Sequence, residues 1–487
     1  MTTAQQTERL PAAARGGEAF IAVDIGASSG RVILGRVGAD GADLEVVHRF
    51  PNGVREIDGA LRWDVPALFE EVLGGLAQAA ALAGGTGERI TSIGIDTWAV
   101  DYGLLDAAGE LVALPHSYRD PRGATAVPQV HAAVGEAELY GTTGLQFLPF
   151  NTIYQLATEP DLAGRTALLI PDLLAYWLTG VQRTESTNAS TTGLYDAVAG
   201  EWATEFFTSL GLPAGLFPPL VEPGAAVGTL LPAVADRTGL PADTTVVAVG
   251  SHDTASAVLA VPATSADFAY ISSGTWSLVG LELEHPVLTE ASRAANFTNE
   301  RGVDSSIRYL RNVGGLWLLS ESLRSWADAG LERVLEELLA GAAELPAGGP
   351  VIDPDSPDFI APGGMPERIR AAVAAAGGHL PPEPSAVVRC ILDSLAAAYA
   401  RTLGDAVRLS GAAVERVHIV GGGSQNALLC QLTADATGLE VLAGPVEATA
   451  LGNVLIQARA AGSAPATRSG MRALLAQGQT LRSYLPR

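Results

Sequence analysis

Three aspartates stand where strand-like runs end: Asp24, Asp96 and Asp253. A carboxylate in such a place can take a proton from a hydroxyl, or hold a hard divalent cation through water. Asp253 follows the buried apolar run 245–250 (Thr-Val-Val-Ala-Val-Gly) and opens a helix expected to reach Ala257. Two readings fit it from position alone: a general base kept ionised by the helix dipole, or a residue that caps the helix. Asp24 lies on the inward side of an alternating strand, directly before Ile25-Gly26. That favours a water-mediated cation role over an ordinary turn aspartate. Asp96 could accept two hydroxyl hydrogen bonds, and the indole of Trp98 could cover an apolar ligand face. Core packing fits Trp98 nearly as well. His252 could orient a hydroxyl-bearing ligand, although alone it reads better as a packed histidine.

Around these acids lie three glycine-rich turns: Asp24-Ile25-Gly26-Ala27-Ser28-Ser29-Gly30-Arg31, Ser272-Ser273-Gly274-Thr275 and Gly421-Gly422-Gly423-Ser424. Such loops hold phosphate with backbone N–H groups. Ala27, Ser28, Ser29 and Gly30 are the expected donors of the first, and Gly274 and Thr275 are expected to reach phosphate from the second, unless they form only an ordinary tight turn. Gly421 and Gly422 would let a flat base and ribose approach, or simply satisfy a turn that needs positive φ. The sequence contains no lysine, its 30 Lys+Arg residues all being arginine. A P-loop, a protein-kinase site and Schiff-base chemistry each need a lysine and are excluded. Arg31 can supply the missing charge beside phosphate, or close a salt bridge at the strand edge.

The elements that must position these residues follow from periodicity. Residues 20–25 alternate and 31–37 resume as a strand, so the first glycine loop joins a hairpin rather than opening a helix. Residues 67–83 form an amphipathic helix and 90–95 a buried strand. Residues 166–178 are expected to be mostly helical. Residues 268–271 and 276–283 repeat the strand–turn–strand unit about half a chain later, after a linker at 261–266. A long helix over 386–409, with Ser385 as its N-cap, precedes a strand at 414–420. Helices at 425–436 and 448–461 flank a strand at 439–442, and 339–350 and 381–384 read as loops. Three regions follow: a flexible extension over 1–18, a domain over 19–260 and a second over 261–487.

Composition sets outer bounds. Hydrophobic residues make up 48% and charged residues 17% of 487, enough for large cores. A net charge of -23 disfavours nucleic acid as a partner. Cys390 and Cys430 lie in apolar helical patterns, which suits a reducing cytoplasm and no disulfide framework. No apolar run is long enough to indicate a membrane partner, and the first residues lack a signal-peptide core. The seven histidines show no zinc-ligand spacing.

The ordered set of motifs resembles the FGGY carbohydrate kinases, within the actin–hexokinase (ribonuclease-H-like) architecture. It runs through Gly94-Ile95-Asp96-Thr97-Trp98-Ala99-Val100-Asp101, Gln146-Phe147-Leu148-Pro149-Phe150-Asn151, Ser251-His252-Asp253-Thr254, Gly315-Leu316-Trp317 and Gly444-Pro445-Val446-Glu447-Ala448. The resemblance implies an α/β two-domain fold with ATP and sugar in an interdomain cleft. It implies ATP and Mg²⁺ as cofactors and L-rhamnulose as the sugar. L-Fuculose, or a non-catalytic ATP sensor of the same fold, is the alternative. It implies that Asp253 is the base and that Asp96, Trp98, Ala99, His252, Thr254 and Asn312 touch sugar. Asp24 then serves the metal. Two departures stand out: Ala99 replaces a common glycine and Ser320 a common glutamine.

Overall fold

The computed structural model describes residues 17–331 and 333–487. The expected extension over 1–18 lies almost wholly outside the described residues. The chain divides into two compact units that are not contiguous in sequence. Unit 1 contains the stretch ending at Thr264, then residues 282–309 and 448–479. Unit 2 contains residues 265–281, 310–447 and 480–487.

Unit 1 is built on six strands: β1 (Glu18–Ile25), β2 (Ser29–Gly38), β3 (Gly41–Pro51), β4 (Arg89–Thr97), β5 (Ala226–Thr229) and β6 (Thr245–Val247). Their order in the sheet is β5-β6-β4-β1-β2-β3. β1 pairs antiparallel with β2 and parallel with β4, and β4 pairs parallel with β6. Alternation in β1 sorts its side chains. Ile21, Val23 and Ile25 join the core under the helix Val65–Thr86, with Leu68, Val72 and Leu76. Phe20 and Ala22 face the helix Ala448–Ala460, through Ala450, Val454 and Ala458. Asp24 shares the parity of Phe20 and Ala22, so the strand turns it away from the larger core.

Helix Val65–Thr86 starts at Asp64, which accepts from the Ala67 N–H (3.1 Å), and ends at Gly87 in the left-handed region. It is the one described helix with the length and hydropathy of a membrane-crossing segment, and its apolar stripe is buried against the sheet.

Unit 2 repeats the pattern with β7 (Phe268–Ser273), β8 (Trp276–Leu283), β9 (Ile307–Gly314), β10 (Arg416–Val420), β11 (Glu440–Ala443) and β12 (Arg482–Tyr484), although Glu282 and Leu283 of β8 and residues 307–309 of β9 belong to unit 1. Their order is β9-β8-β7-β10-β11-β12. β7 pairs antiparallel with β8 and parallel with β10, as β1 does with β2 and β4. The echo read in the sequence is thus a duplication of strand order. The long helix runs Pro384–Ser410.

Some elements differ from expectation. Residues 166–178 divide into a strand, Thr166–Leu169, and a helix, Ile170–Thr179, whose start carries Pro171. Residues 339–343 belong to a helix, Leu335–Ala343, that buries Leu338 and Ala342. Ser385 lies inside the long helix, which begins one residue earlier at Pro384.

One close approach fixes the helix that Asp253 opens. Gly452 lies against that helix: a Cβ there would come within 1.9 Å of the Ser256 carbonyl oxygen. Backbone cannot give way as a side-chain tip can. Gly452→Ala should therefore destabilise the protein by about 1–3 kcal/mol, the usual cost of overpacking. A lowered urea midpoint checks this, and an unchanged midpoint contradicts it.

Candidate active site

The acids of unit 1 meet at the carboxyl ends of its parallel strands, where ligands bind in open α/β sheets. Asp24 and Asp96 are register partners on β1 and β4. Next to β4, Thr97 donates its N–H to the Ser251 carbonyl (2.9 Å) and pairs with His252, which brings Asp253 alongside. Asp24 is nearly buried and takes the Arg31 guanidinium at 2.5 Å. Arg31 therefore adopts the salt-bridge geometry in this state.

Asp96 is fully buried. Its Oδ2 accepts from the Asn453 amide (2.5 Å), while its Oδ1 has no hydrogen-bond partner among the described residues. Burial first, and then the Asp24 carboxylate, push the Asp96 pKa well above the ordinary aspartate value. Asn453 is held by Gln457, which also takes a bond from Ser92 (2.7 Å) and donates to the Ile21 carbonyl (3.0 Å). Gly94 leaves room for this pair, since a Cβ there would lie 2.4 Å from the Asn453 amide oxygen. Neither Asn453 nor Gln457 was among the expected site residues. Their visible trace is two amides four residues apart in a helix otherwise mostly apolar.

Asp253 is the first residue of the helix Asp253–Leu259, and His252 precedes it without a side-chain cap bond. The Asp253 carboxylate is about a third exposed, and its Oδ1 accepts from the Thr254 hydroxyl (3.0 Å). His252 Nε2 lies 3.6 Å from that same Oδ1. Behind this turn, buried Glu185 accepts from the Ser251 N–H (3.0 Å) and hydroxyl (2.7 Å). On the other side of His252 sit Glu300 and the fully buried Arg308, with Arg308 Nη2 3.0 Å from Glu300 Oε2. Burial opposes ionisation of Glu300, but the charge of the adjacent Arg308 guanidinium leads the effects that outweigh it and hold the carboxyl below its ordinary value.

The loop after β4 is locked. Val100 has φ of 66°, a left-handed conformation unusual for a β-branched residue, and Asp101 N–H reaches back to the Ala99 carbonyl (2.9 Å). Asp101 accepts from the indoles of Trp63 (2.6 Å) and Trp98 (2.9 Å), from Gln155 (3.0 Å) and from the Tyr118 N–H (3.1 Å). Trp98 is buried, 4.4 Å from the Trp63 ring. Its indole is thus part of the packed loop, with Ala99 half-buried beside it.

The first glycine turn exposes Ser28 and Ser29, and Gly26 N–H donates to Ser29 O (2.9 Å). Gly30 has a packing reason to lack a side chain, because a Cβ would meet the Phe50 ring at 2.2 Å. In unit 2 the other two turns lie together. Gly421, with φ of 79°, and Gly423 both crowd Ser273, whose hydroxyl a Cβ on Gly423 would meet at 2.1 Å. Gly274 and Gly422 are exposed, and Thr275 is half-buried. Gly274 O accepts from the Leu316 N–H (2.9 Å), which ties this turn to the helix Trp317–Asp328. Asn312 is half-buried on β9, and Ser320 is exposed. Among the described residues no group of three His, Cys, Asp or Glu side chains closes around a metal.

Residues 19–260 match the N-terminal domain of the FGGY family of carbohydrate kinases, and residues 269–461 match its C-terminal domain. The chain belongs to the FGGY family of carbohydrate kinases. Membership makes it a sugar kinase that uses ATP as phosphoryl donor. This FGGY kinase is 43% identical over 473 residues to a rhamnulokinase of Bacteroides thetaiotaomicron, covering 96% of each chain. It is 44% identical over 445 residues to a rhamnulokinase of Klebsiella pneumoniae, covering 90% of this chain and 88% of the other. A gluconate kinase of Lactobacillus acidophilus shares the fold at a TM-score of 0.78 and 16% identity, covering 96% and 94% of the two chains. A glycerol kinase of Plasmodium falciparum with ADP does so at 0.76 and 16%, covering 97% and 95%.

The Asp101 cluster yields a pH test. Burial pushes this carboxyl up to about 6, against four hydrogen bonds that favour its ionised form. The folded protein thus binds that proton more tightly than the unfolded chain, so stability falls as pH rises through the gap. Asp101→Asn removes the titration. Whatever constant offset the amide brings, the wild type should lose on the order of 3 kcal/mol relative to the variant between about pH 4 and 6. Urea midpoints of both proteins across that range check it, and a pH-independent difference contradicts it.

Proposed function

We propose that this FGGY kinase converts L-rhamnulose and ATP to L-rhamnulose 1-phosphate and ADP, in the cytoplasm, as a step of rhamnose catabolism. The observation that carries the reading is the 43–44% identity, over nearly the whole length of both partners, to proteins that act as rhamnulokinases. The region 19–260 is read as the sugar and phosphate domain and 261–487 as the nucleotide domain.

Phosphoryl transfer asks chiefly for alignment and for neutralisation of charge. Asp253 is the proposed base, taking the proton from the sugar hydroxyl that attacks the γ-phosphorus. Its part-exposed carboxylate, bonded to a side-chain hydroxyl, supports this over a capping role. Asp96, His252 and Thr254 are the proposed sugar contacts of unit 1, with Trp98 and Ala99 forming its wall. The proposed role of Asn312 rests on the family resemblance alone. Ala27, Ser28, Ser29, Gly30 and Arg31 are proposed for the ATP phosphates, as are Gly274 and Thr275, with Gly421 and Gly422 beside the adenosine.

The residues present fit Mg²⁺. Asp24 and Asp96 are hard oxygen donors on register-paired positions, and Asp96 keeps one buried oxygen without a protein partner. Asp24 would hold the ion through water, and bound Mg²⁺ would neutralise phosphate charge in a site without lysine. Arg31, now on Asp24, would be freed to turn toward phosphate.

Asp253→Asn should leave the fold and ATP binding intact and lower kcat by at least ~100-fold, the lower range for general-base catalysis. Near-normal turnover overturns the base assignment. Coupled ADP-release assays over L-rhamnulose, L-fuculose, D-xylulose, L-ribulose and glycerol test the substrate. L-Rhamnulose should give the highest kcat/KM, because each missing or inverted hydroxyl leaves a buried partner unpaired at about 1–3 kcal/mol. A better substrate elsewhere in the panel overturns the sugar while leaving the kinase.

A further inference from the structure

We propose that Arg308 and Glu300 are positioning residues that keep His252 in its neutral, Nε2-protonated tautomer. The ring then presents a hydrogen-bond donor on the side of Asp253, and proton acceptance there is left to Asp253 alone. This rests on the reading of the unit 1 acids as the sugar site.

The imidazole is held from one side. Its Nδ1 lies 3.0 Å from Arg308 Nη2 and 3.1 Å from Glu300 Oε2, and its Nε2 faces Asp253. These two neighbours make opposite demands. A guanidinium only donates, so a bond from Arg308 requires Nδ1 to be a bare acceptor. A carboxylate only accepts, so a bond to Glu300 requires a proton on Nδ1. The geometry decides between them. An Arg308 N–H is directed at Nδ1, whereas Glu300 Oε2 is near enough for an ion pair but aligned for no hydrogen bond. A proton on Nδ1, in either the other neutral tautomer or the imidazolium, would oppose that N–H donor to donor.

The arginine has little freedom to turn away. It is fully buried, and its Nε donates to the Arg301 carbonyl (3.2 Å). Glu300 balances its charge at 3.0 Å, without which a guanidinium so placed would be strongly destabilising. The backbone is fixed as well, since His252 N–H donates to the Thr187 hydroxyl (3.3 Å).

The chemical consequence concerns division of labour. A neutral ring with hydrogen on Nε2 can donate to a sugar oxygen while Asp253 takes the hydroxyl proton. With Nε2 bare, the ring would compete with Asp253 for that proton and lose its donor to the sugar. Glu300 and Arg308 touch neither, so they act through His252.

The test is spectroscopic and kinetic, on the full-length enzyme. With ¹⁵N-labelled histidine, the long-range ¹H–¹⁵N pattern of His252, assigned by its loss in His252→Asn, should show a protonated Nε2 and a bare Nδ1. An Nδ1-protonated or doubly protonated ring overturns the proposal. Arg308→Met, with Glu300 retained, should reverse the tautomer and raise the KM for the sugar about tenfold, the value of one hydrogen bond. The KM for ATP should not move. Should the unpaired Glu300 prevent folding, Arg308→Met with Glu300→Leu keeps the interior neutral. That double variant should mix both tautomers and raise the sugar KM alone. An unchanged sugar KM, or equal losses for sugar and ATP, overturns the positioning role. The resting spectrum needs no turnover, so it stands even where every sugar assay is negative, an outcome that would count against the proposed substrate instead.

Discussion

Removing a carboxylate from water is costly, and much of unit 1 is arranged around the one that has gone furthest inside. Asp96 sits fully buried at the end of β4, beside a second acid on β1. Without compensation, such a group would stay protonated or unfold its surroundings. A chain of amides offsets part of this cost, and the Asp96 pKa still stays well above the ordinary aspartate value. Asn453 bonds the carboxylate, Gln457 holds Asn453, and Gln457 is anchored on Ser92 and on the backbone of β1. Each link requires the next, and the bare Cα of Gly94 gives them space. One Asp96 oxygen is left over, and that oxygen is what a hydrated cation or a hydroxyl can satisfy.

The same economy of partners recurs around the His252 turn. Glu185 gathers the hydroxyl and N–H of Ser251, while Arg308 and Glu300 fix the imidazole. The part-exposed carboxylate of Asp253 therefore projects from a rigid base, and among the described residues its one hydrogen-bond donor is the neighbouring Thr254. Rigid support for a lightly bonded acid is what proton acceptance asks for. Unit 2 shows a related logic with backbone instead of charge. Its two glycine turns touch through Ser273, and the absent side chains of Gly421 and Gly423 permit that approach.

Much of the frame was legible in the sequence because it depends on local periodicity. The alternation of β1 gave the face of Asp24, and the apolar runs before Asp96 and Asp253 gave strand ends. The repeated hairpin foretold a duplicated fold, and six strands of each large sheet share one order. The supporting partners were not legible. Asn453 lies 357 residues from Asp96, and Arg308 lies 56 from His252, separations at which no pattern of spacing survives. Gly94 inside a buried strand was the nearest thing to a clue, since such a glycine often marks a close approach. The helix Leu335–Ala343 was missed for another reason. Gly341 and the proline and glycines after it read as loop, and only the burial of Leu338 and Ala342 overrides them.

Unit 1 closes with the last part of the chain. The helix Ala448–Ala460 both covers Phe20, Ala22 and Ile33 on the sheet and delivers Asn453 to Asp96. During synthesis, the six strands of that sheet leave the ribosome some two hundred residues before this helix. Throughout that interval Phe20, Ala22 and Ile33 lack the helix that covers them, and the buried acid has no amide. The nascent chain must carry an unfinished first unit while the whole of residues 310–447 is being made. That is the period in which chaperone shelter would matter most.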